Sequence, residues 1–332
     1  MYRGKNHPGR LLALTVLLPL LTASTFAFAL RPPGGGTTPQ LKRLLPAQYG
    51  GRSVVCEELR QRRVVNQHQM NDRLRNFLLF DAAERGCIEL MTELLSEGAS
   101  VGARDHFGNT ALLHAARAGE NEALRLLIEK KSDLHHQNLA GSTALLGAVT
   151  MNRRRTAEIL LEAGADPNTP SRRNVSPLVA AAYNGNLRLA ELLIKAGARP
   201  DVRDATGKGA MVYAAAKGYP RIVALLLDAG LSVDDRYEHG LTALMWAAGH
   251  TNDVPVAEGL TTVRLLLGRG AATDLVEDRG RTALMIAAER GHAEIVAALL
   301  EAGSDDKHRD ARGKTAADLA ANDAVRSLLV AE

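Results

Sequence analysis

Gly108-Asn109-Thr110-Ala111-Leu112 is a short phrase that the chain says again and again. It returns as Gly141-Ser142-Thr143-Ala144-Leu145. It weakens to Asn174-Val175-Ser176-Pro177-Leu178 and to Gly207-Lys208-Gly209-Ala210-Met211. Then come Gly240-Leu241-Thr242-Ala243-Leu244, Gly280-Arg281-Thr282-Ala283-Leu284 and Gly313-Lys314-Thr315-Ala316-Ala317. Successive copies start 33, 33, 33, 33, 40 and 33 residues apart. A second marker keeps the same beat: Gly98, Lys131, Gly164, Gly197, Gly230, Gly270 and Gly303. Two markers locked at one period predict a stack of small units in place of a single globular core.

Each unit has a physical reading. The glycine supplies a turn conformation that other residues resist, and Asn174 is the best substitute. The Thr or Ser two residues on suits a helix N-cap. A short Ala-rich helix follows, as in Ala111 to Ala118. Its alanine pairs (Ala115-Ala116, Ala181-Ala182, Ala247-Ala248, Ala287-Ala288) let neighbouring helices approach closely. A second helix carries apolar residues at helical spacing, as in Ile295, Val296, Leu299 and Leu300. The Gly after it is a C-cap. One such unit cannot bury its apolar face alone, so the units must stack.

These phrases resemble the ankyrin repeat family. The family pattern of Gly-x-Thr-Pro/Ala-Leu, then Ala-Ala, then Leu-Leu-x-x-Gly is met by Gly280 to Leu284, Ala287-Ala288 and Leu299 to Gly303. The resemblance covers residues 76–332. It implies an all-α repeat solenoid of about six full repeats plus two caps, with short β-hairpin fingers. The first cap, around Asn76 to Asp105, lacks the turn phrase, and the last starts near Ala311. The chain departs from the family in one respect. The His that usually follows the Leu is absent from every unit; Leu113, Leu146, Val179, Val212, Met245 and Met285 stand there, so apolar packing must replace that network. Gly209 lacks the cap hydroxyl, which marks unit five as the softest.

Outside the repeat, residues 1–29 are laid out as a secretory signal: Arg3, Lys5 and Arg10, an apolar run from Leu11 to Leu21, then Ala27-Phe28-Ala29. Cleavage after Ala29 is expected. An uncleaved anchor over residues 11–30 is the alternative, since that length spans a bilayer. Residues 30–51 read as a flexible Pro/Gly linker, and 52–75 as an N-terminal helical segment. The 332 residues are 46% hydrophobic but only 4% aromatic, and 23% are charged, which excludes wholesale disorder. The formal charge is +4; without the leader's three cations the chain has 38 basic against 37 acidic groups. A near-neutral balance argues against nucleic acid, which needs a clustered basic stripe. Export makes Cys56 and Cys87 a disulfide candidate; the alternative is two buried thiols.

No catalytic constellation emerges. Gly313-Lys314-Thr315 imitates the end of a phosphate loop, but His308 stands where the motif needs its first Gly. His135-His136 lacks a second spaced ligand pair. Asp234-Asp235 and Asp305-Asp306 fall in fingers, and Arg153-Arg154-Arg155 reads as a solvated helix end. No metal and no cofactor are expected.

The resemblance implies protein binding through a concave face and the finger tips. Phe107, Tyr183, Arg172 and Arg173 have the chemistry of interface anchors. Tyr213 and Trp246 share one repeat position in adjacent units and are expected to stack, with core filling as the alternative. His239 sits at a finger tip. His250 opens the segment 250–258, where the step of 40 places seven extra residues. Insertions in repeat arrays map to loops on one face, often the binding face. The chain therefore reads as a monomeric, non-enzymatic module, periplasmic or secreted, that binds a protein partner. The alternatives are an accessory or regulatory subunit of an exported enzyme, or a scaffold anchored in the membrane by residues 11–30.

Overall fold

The computed structural model describes residues 52–65, 70–249 and 254–330. The expected signal with its cleavage site at Ala29, the 30–51 linker and His250 lie outside these residues. Seventeen α-helices are described, with one short 3-10 turn at Glu238–Gly240. The first, α1 (Arg52–Val65), stands alone. Eight helix pairs follow: α2 (Asp72–Arg85) with α3 (Ile88–Ser96), α4 (Ala111–Ala118) with α5 (Asn121–Glu129), α6 (Ala144–Thr150) with α7 (Arg154–Glu162), and α8 (Pro177–Tyr183) with α9 (Leu187–Lys195). The second half holds α10 (Ala210–Ala216) with α11 (Pro220–Asp228), α12 (Ala243–Ala248) with α13 (Val256–Gly268), α14 (Ala283–Arg290) with α15 (Ala293–Glu301), and α16 (Ala316–Leu319) with α17 (Asp323–Val330). These are the six full units and two caps that the period implies. The first pair starts at Asp72, capped by Asn71, a few residues before the expected Asn76.

The even-numbered helices pack on one another in one row and the odd-numbered ones from α3 in a second row. The sequence explains both. Thr110, Thr143, Ser176, Thr242, Thr282 and Thr315 each cap an inner helix, their hydroxyls accepting the backbone N–H three residues on. Gly209 caps α10 without a side-chain bond. The alanine pairs are wholly buried, so inner helices meet nearly backbone to backbone while the outer row is spaced by leucines. The six residues that replace the family His are all buried.

The fingers differ from the expected β-hairpins. Among the described residues there is no strand, only one isolated bridge between Arg203 and Gly209. In the first full unit Asp105 N–H donates to the Asn109 carbonyl and Gly108 N–H to Asp105, which closes a tight turn. The chain enters the inner helix at Thr110, before a second rung can form. Five pairs of neighbouring fingers are joined by a single backbone bond, Leu139 N to Phe107 O, Arg172 N to Ala140 O, Ala205 N to Arg173 O, Asp278 N to His239 O and Ala311 N to Arg279 O, while among the described residues none joins the Asp204 finger to that of Tyr237. At most one bond per neighbour makes a row of turns and not a ladder.

At the amino end, α1 lies on the first pair. Leu59 is buried, Arg63 pairs with Glu93 of α3 and with Glu97 at its C-cap, and a disulfide joins Cys56 to Cys87 with Cα atoms 5.5 Å apart. The expected insertion divides in two. Residues 250–253 lie outside the described set, while Val256 to Gly259 extend α13 to 13 residues against 9 in the other full outer helices. Val254 is buried, and a Cβ on Gly218 would meet its Cγ1 at 2.7 Å. The described part of the insertion therefore leans on the preceding unit at the end of the inner helices away from the fingers.

Candidate interaction surface

One residue at the base of each finger makes the turn. Asp105 Oδ1 accepts from the N–H groups of Phe107 and Asn109. Asn138, Asp204, Glu277 and Asp310 take the same pair of bonds in their own fingers, and Ser171 takes one. Sequence reasoning missed this position. Its signal was available, since Asp105, Asn138, Ser171, Asp204, Tyr237, Glu277 and Asp310 keep the repeat's own steps. Tyr237 breaks the series: it is buried, lies under the Arg203 guanidinium at 4.7 Å, and leaves His239 in the left-handed region at φ 59°.

The free oxygen of the turn acid meets the inner helix. Tyr213 on α10 donates its hydroxyl to Asp204 Oδ2 at 2.5 Å, and burial together with that carboxylate raises the phenol's pKa. His114 on α4 stands one repeat position from the N-terminal cap. Its Nε2 lies 3.0 Å from Asp105 Oδ2 and its Nδ1 3.6 Å from Glu84 Oε2, with Phe80 stacked on the ring. Burial alone would lower its pKa, but Glu84 and Asp105 together outweigh burial and raise it.

The aromatic groups gather in the middle of the inner face. Tyr183 and Tyr213 meet edge-on with centroids 5.5 Å apart. Lys217 Nζ lies 4.0 Å over Tyr183. Lys208 Nζ lies 5.6 Å from the Trp246 ring and 2.9 Å from Glu238 in the next finger. The expected stacking of Tyr213 on Trp246 is thus replaced: Tyr213 turns to the preceding unit because its hydroxyl is held by Asp204. Tyr183, Tyr213 and Trp246 are all half-buried, and Trp246 Nε1 is buried without a hydrogen-bond partner among the described residues.

The other candidates are scattered along the finger edge. Phe107 is 44% exposed and touches His106, ring to ring. Arg172 and Arg173 are exposed at the third finger tip. His239 stands between Glu238 and Asp278 at 3.6 and 3.5 Å.

The motifs that imitate chemistry have structural work. His136 Nε2 bonds the Gly108 carbonyl at 2.7 Å, and His308 bonds Gly280 in the same way at 2.9 Å. His135 is exposed, so the two adjacent imidazoles point apart. Thr315 forms a capping box with Asp318, which accounts for the Gly-Lys-Thr phrase. Asp234 accepts from Ala272 N–H, and Asp305 from Lys307 N–H. Among the described residues no group of three His, Cys, Asp or Glu is placed to hold a metal ion, and no helix is long and apolar enough to cross a membrane.

A double row of helices edged by hydrogen-bonded turns defines the class as a helical repeat solenoid. A family model described as ankyrin repeats in three copies matches residues 79–171, 178–261 and 254–332, well over half the chain. The chain belongs to the ankyrin repeat family. It is also similar to ankyrin repeat domain-containing protein 63 of Homo sapiens and of Mus musculus, 47% identical to each over 53 residues. That stretch is 16% of this chain and 14% of each relative. Ankyrin repeats are in general protein–protein interaction modules, and that much holds for this chain.

Proposed function

We propose that this protein is an exported, non-enzymatic, monomeric binding module that grips a protein partner across its inner face and finger tips. The observation that carries the reading is the cluster of Tyr183, Tyr213, Lys208, Lys217 and Trp246. Half-buried aromatic rings with cations over them are what binding hot spots are made of, because they offer large rigid area at low entropic cost. Here the three rings lie half-buried in the middle of the inner face, with Lys208 buried beside Trp246.

Two observations support export to the periplasm or beyond. The basic, apolar and Ala-x-Ala layout of residues 1–29 is that of a cleaved signal. The Cys56–Cys87 disulfide suits an oxidising compartment. Affinity capture from a cell-envelope extract tests the function, comparing wild type with the double variant Tyr183→Ala, Trp246→Ala. The expected result is a partner held by the wild type and lost by the variant at unchanged melting temperature. Equal capture by both would remove the inner-face groove.

A further inference from the structure

The proposed function leaves the partner's chemistry open, and the finger edge addresses it. The side chains at the tips change character from one finger to the next. Phe107 and Leu139 are 44% and 57% exposed on adjacent tips. Arg172 and Arg173 follow on the next, both exposed, and neither guanidinium has a hydrogen-bond or ion-pair partner among the described residues. The bonds from Leu139 N to Phe107 O and from Arg172 N to Ala140 O, both 2.9 Å, fix these tips in one row.

The charge around this row is uncompensated for a reason visible in the turns. Elsewhere a finger carboxylate takes up the nearby cations. Glu277 takes up Arg279 and Arg281 at 3.2 and 3.0 Å, and Glu238 takes up Lys208. The second and third fingers use Asn138 and Ser171 for the same turn, so among the described residues neither of these turns supplies a carboxylate to the two arginines. Asp105 spends its oxygens on backbone N–H groups, Asn109 and His114.

We infer that these three finger tips hold an extended acidic segment of the partner protein, with apolar residues on Phe107 and Leu139 and carboxylates on Arg172 and Arg173. The inference rests on the proposed binding function. Two planar guanidinium forks favour carboxylates, which they bind through paired hydrogen bonds. Packed helices sit about 8–10 Å apart and an extended chain rises about 3.3 Å per residue, so one finger step matches about three residues of ligand. The segment therefore carries apolar side chains about three positions apart and acids about three positions beyond them.

Fluorescence anisotropy on the purified full chain tests this. The probe is a labelled peptide with two leucines three residues apart and a run of glutamates three residues further on. Companion probes replace the glutamates with lysines or the leucines with glycines, and vesicles of an anionic phospholipid form a fourth arm. The leucine–glutamate peptide is expected to bind best and to weaken with salt. Arg172→Gln with Arg173→Gln weakens it by about tenfold and flattens the salt dependence; Phe107→Ala with Leu139→Ala weakens it similarly and leaves the salt dependence intact. All four positions are exposed, and unchanged melting temperatures check that the variants fold. Equal binding of the lysine peptide, tighter binding of the vesicles, or indifference to the arginine pair overturns the inference. Envelope capture that needs Tyr183 and Trp246 but ignores the four tip residues overturns it too, and leaves the proposed function standing. Capture that ignores Tyr183 and Trp246 sinks that function instead.

Discussion

Gly209 shows how one atom decides a position. It is the only N-cap of the seven repeat phrases without a hydroxyl, so Ser looks like an improvement. Yet a Cβ there would meet the Val202 carbonyl at 3.3 Å and Tyr237 Cε1 at 3.5 Å. Replacing Gly by Ser at a cap is worth only a few tenths of a kcal/mol, and crowding against the Arg203–Gly209 bridge offsets it. Gly209→Ser is expected to change unfolding free energy by less than about 0.5 kcal/mol, while Thr242→Ala, which deletes a formed cap, costs about 1 kcal/mol. Urea denaturation separates the two. His114 makes a pH prediction. Its folded pKa is raised above the ordinary value near 6.5. A raised basic group gives stability that is fully present below the unfolded pKa and lost as pH rises through the folded one. Glu84 and Asp105 have lowered values, held down by His114 and by the turn donors against burial, so their part is lost as pH falls through those values. The melting temperature of the wild type should fall between pH 6 and pH 8 relative to His114→Gln. Parallel curves over that window would refute the pairing.

The element that the repeat does not account for is α1. Its sequence belongs to no unit, yet it covers the first pair through Leu59, the Arg63 ion pairs and the disulfide. A repeat array exposes an apolar flank at each end, and a polar cap must cover it. A bond across a separation of 31 residues stabilises by roughly 3–4 kcal/mol in the chain-entropy account. Cys56→Ala with Cys87→Ala should lower unfolding free energy by about that amount and open α1 to proteolysis first. A loss below about 1 kcal/mol would mean that ion pairs and Leu59 hold the helix unaided. The helix pairs were legible in the sequence because their signals are local: a cap hydroxyl, an alanine pair, a C-cap glycine. The strandless fingers were not, since whether one rung becomes two depends on how soon the chain turns into Thr110. Tyr213 was read as a neighbour of Trp246 from register alone; its true partner follows from Asp204, a contact between a turn and a helix. The finger acids could have been found by extending the period to polar positions.

The two ends of the described array are built unequally, and this decides where it opens. At the amino end α2 and α3 bury Leu78, Leu79, Phe80, Leu90, Met91 and Leu94, with α1 stapled over them. At the carboxyl end α16 has only four residues, and the last pair buries Ala316, Val325 and Leu329 with Ala320 beside them. Stability in a stack is a sum of unit and neighbour terms, so an end unit with one weak interface frays first. The Ala321 N–H bond to Ala288 O and the Asn322 bond to Gly291 O tie the last pair down, but neither adds much apolar burial. Hydrogen exchange should therefore release amides of α17 well before those of α3, with the central pairs α6 to α11 slowest. A reductant should speed exchange in α1 and α3 towards the rate of α17 while leaving α17 unchanged, because the disulfide constrains only the first unit. If α17 slowed or quickened together with α3, the array would be opening as one cooperative body, and independent end fraying would be the wrong description.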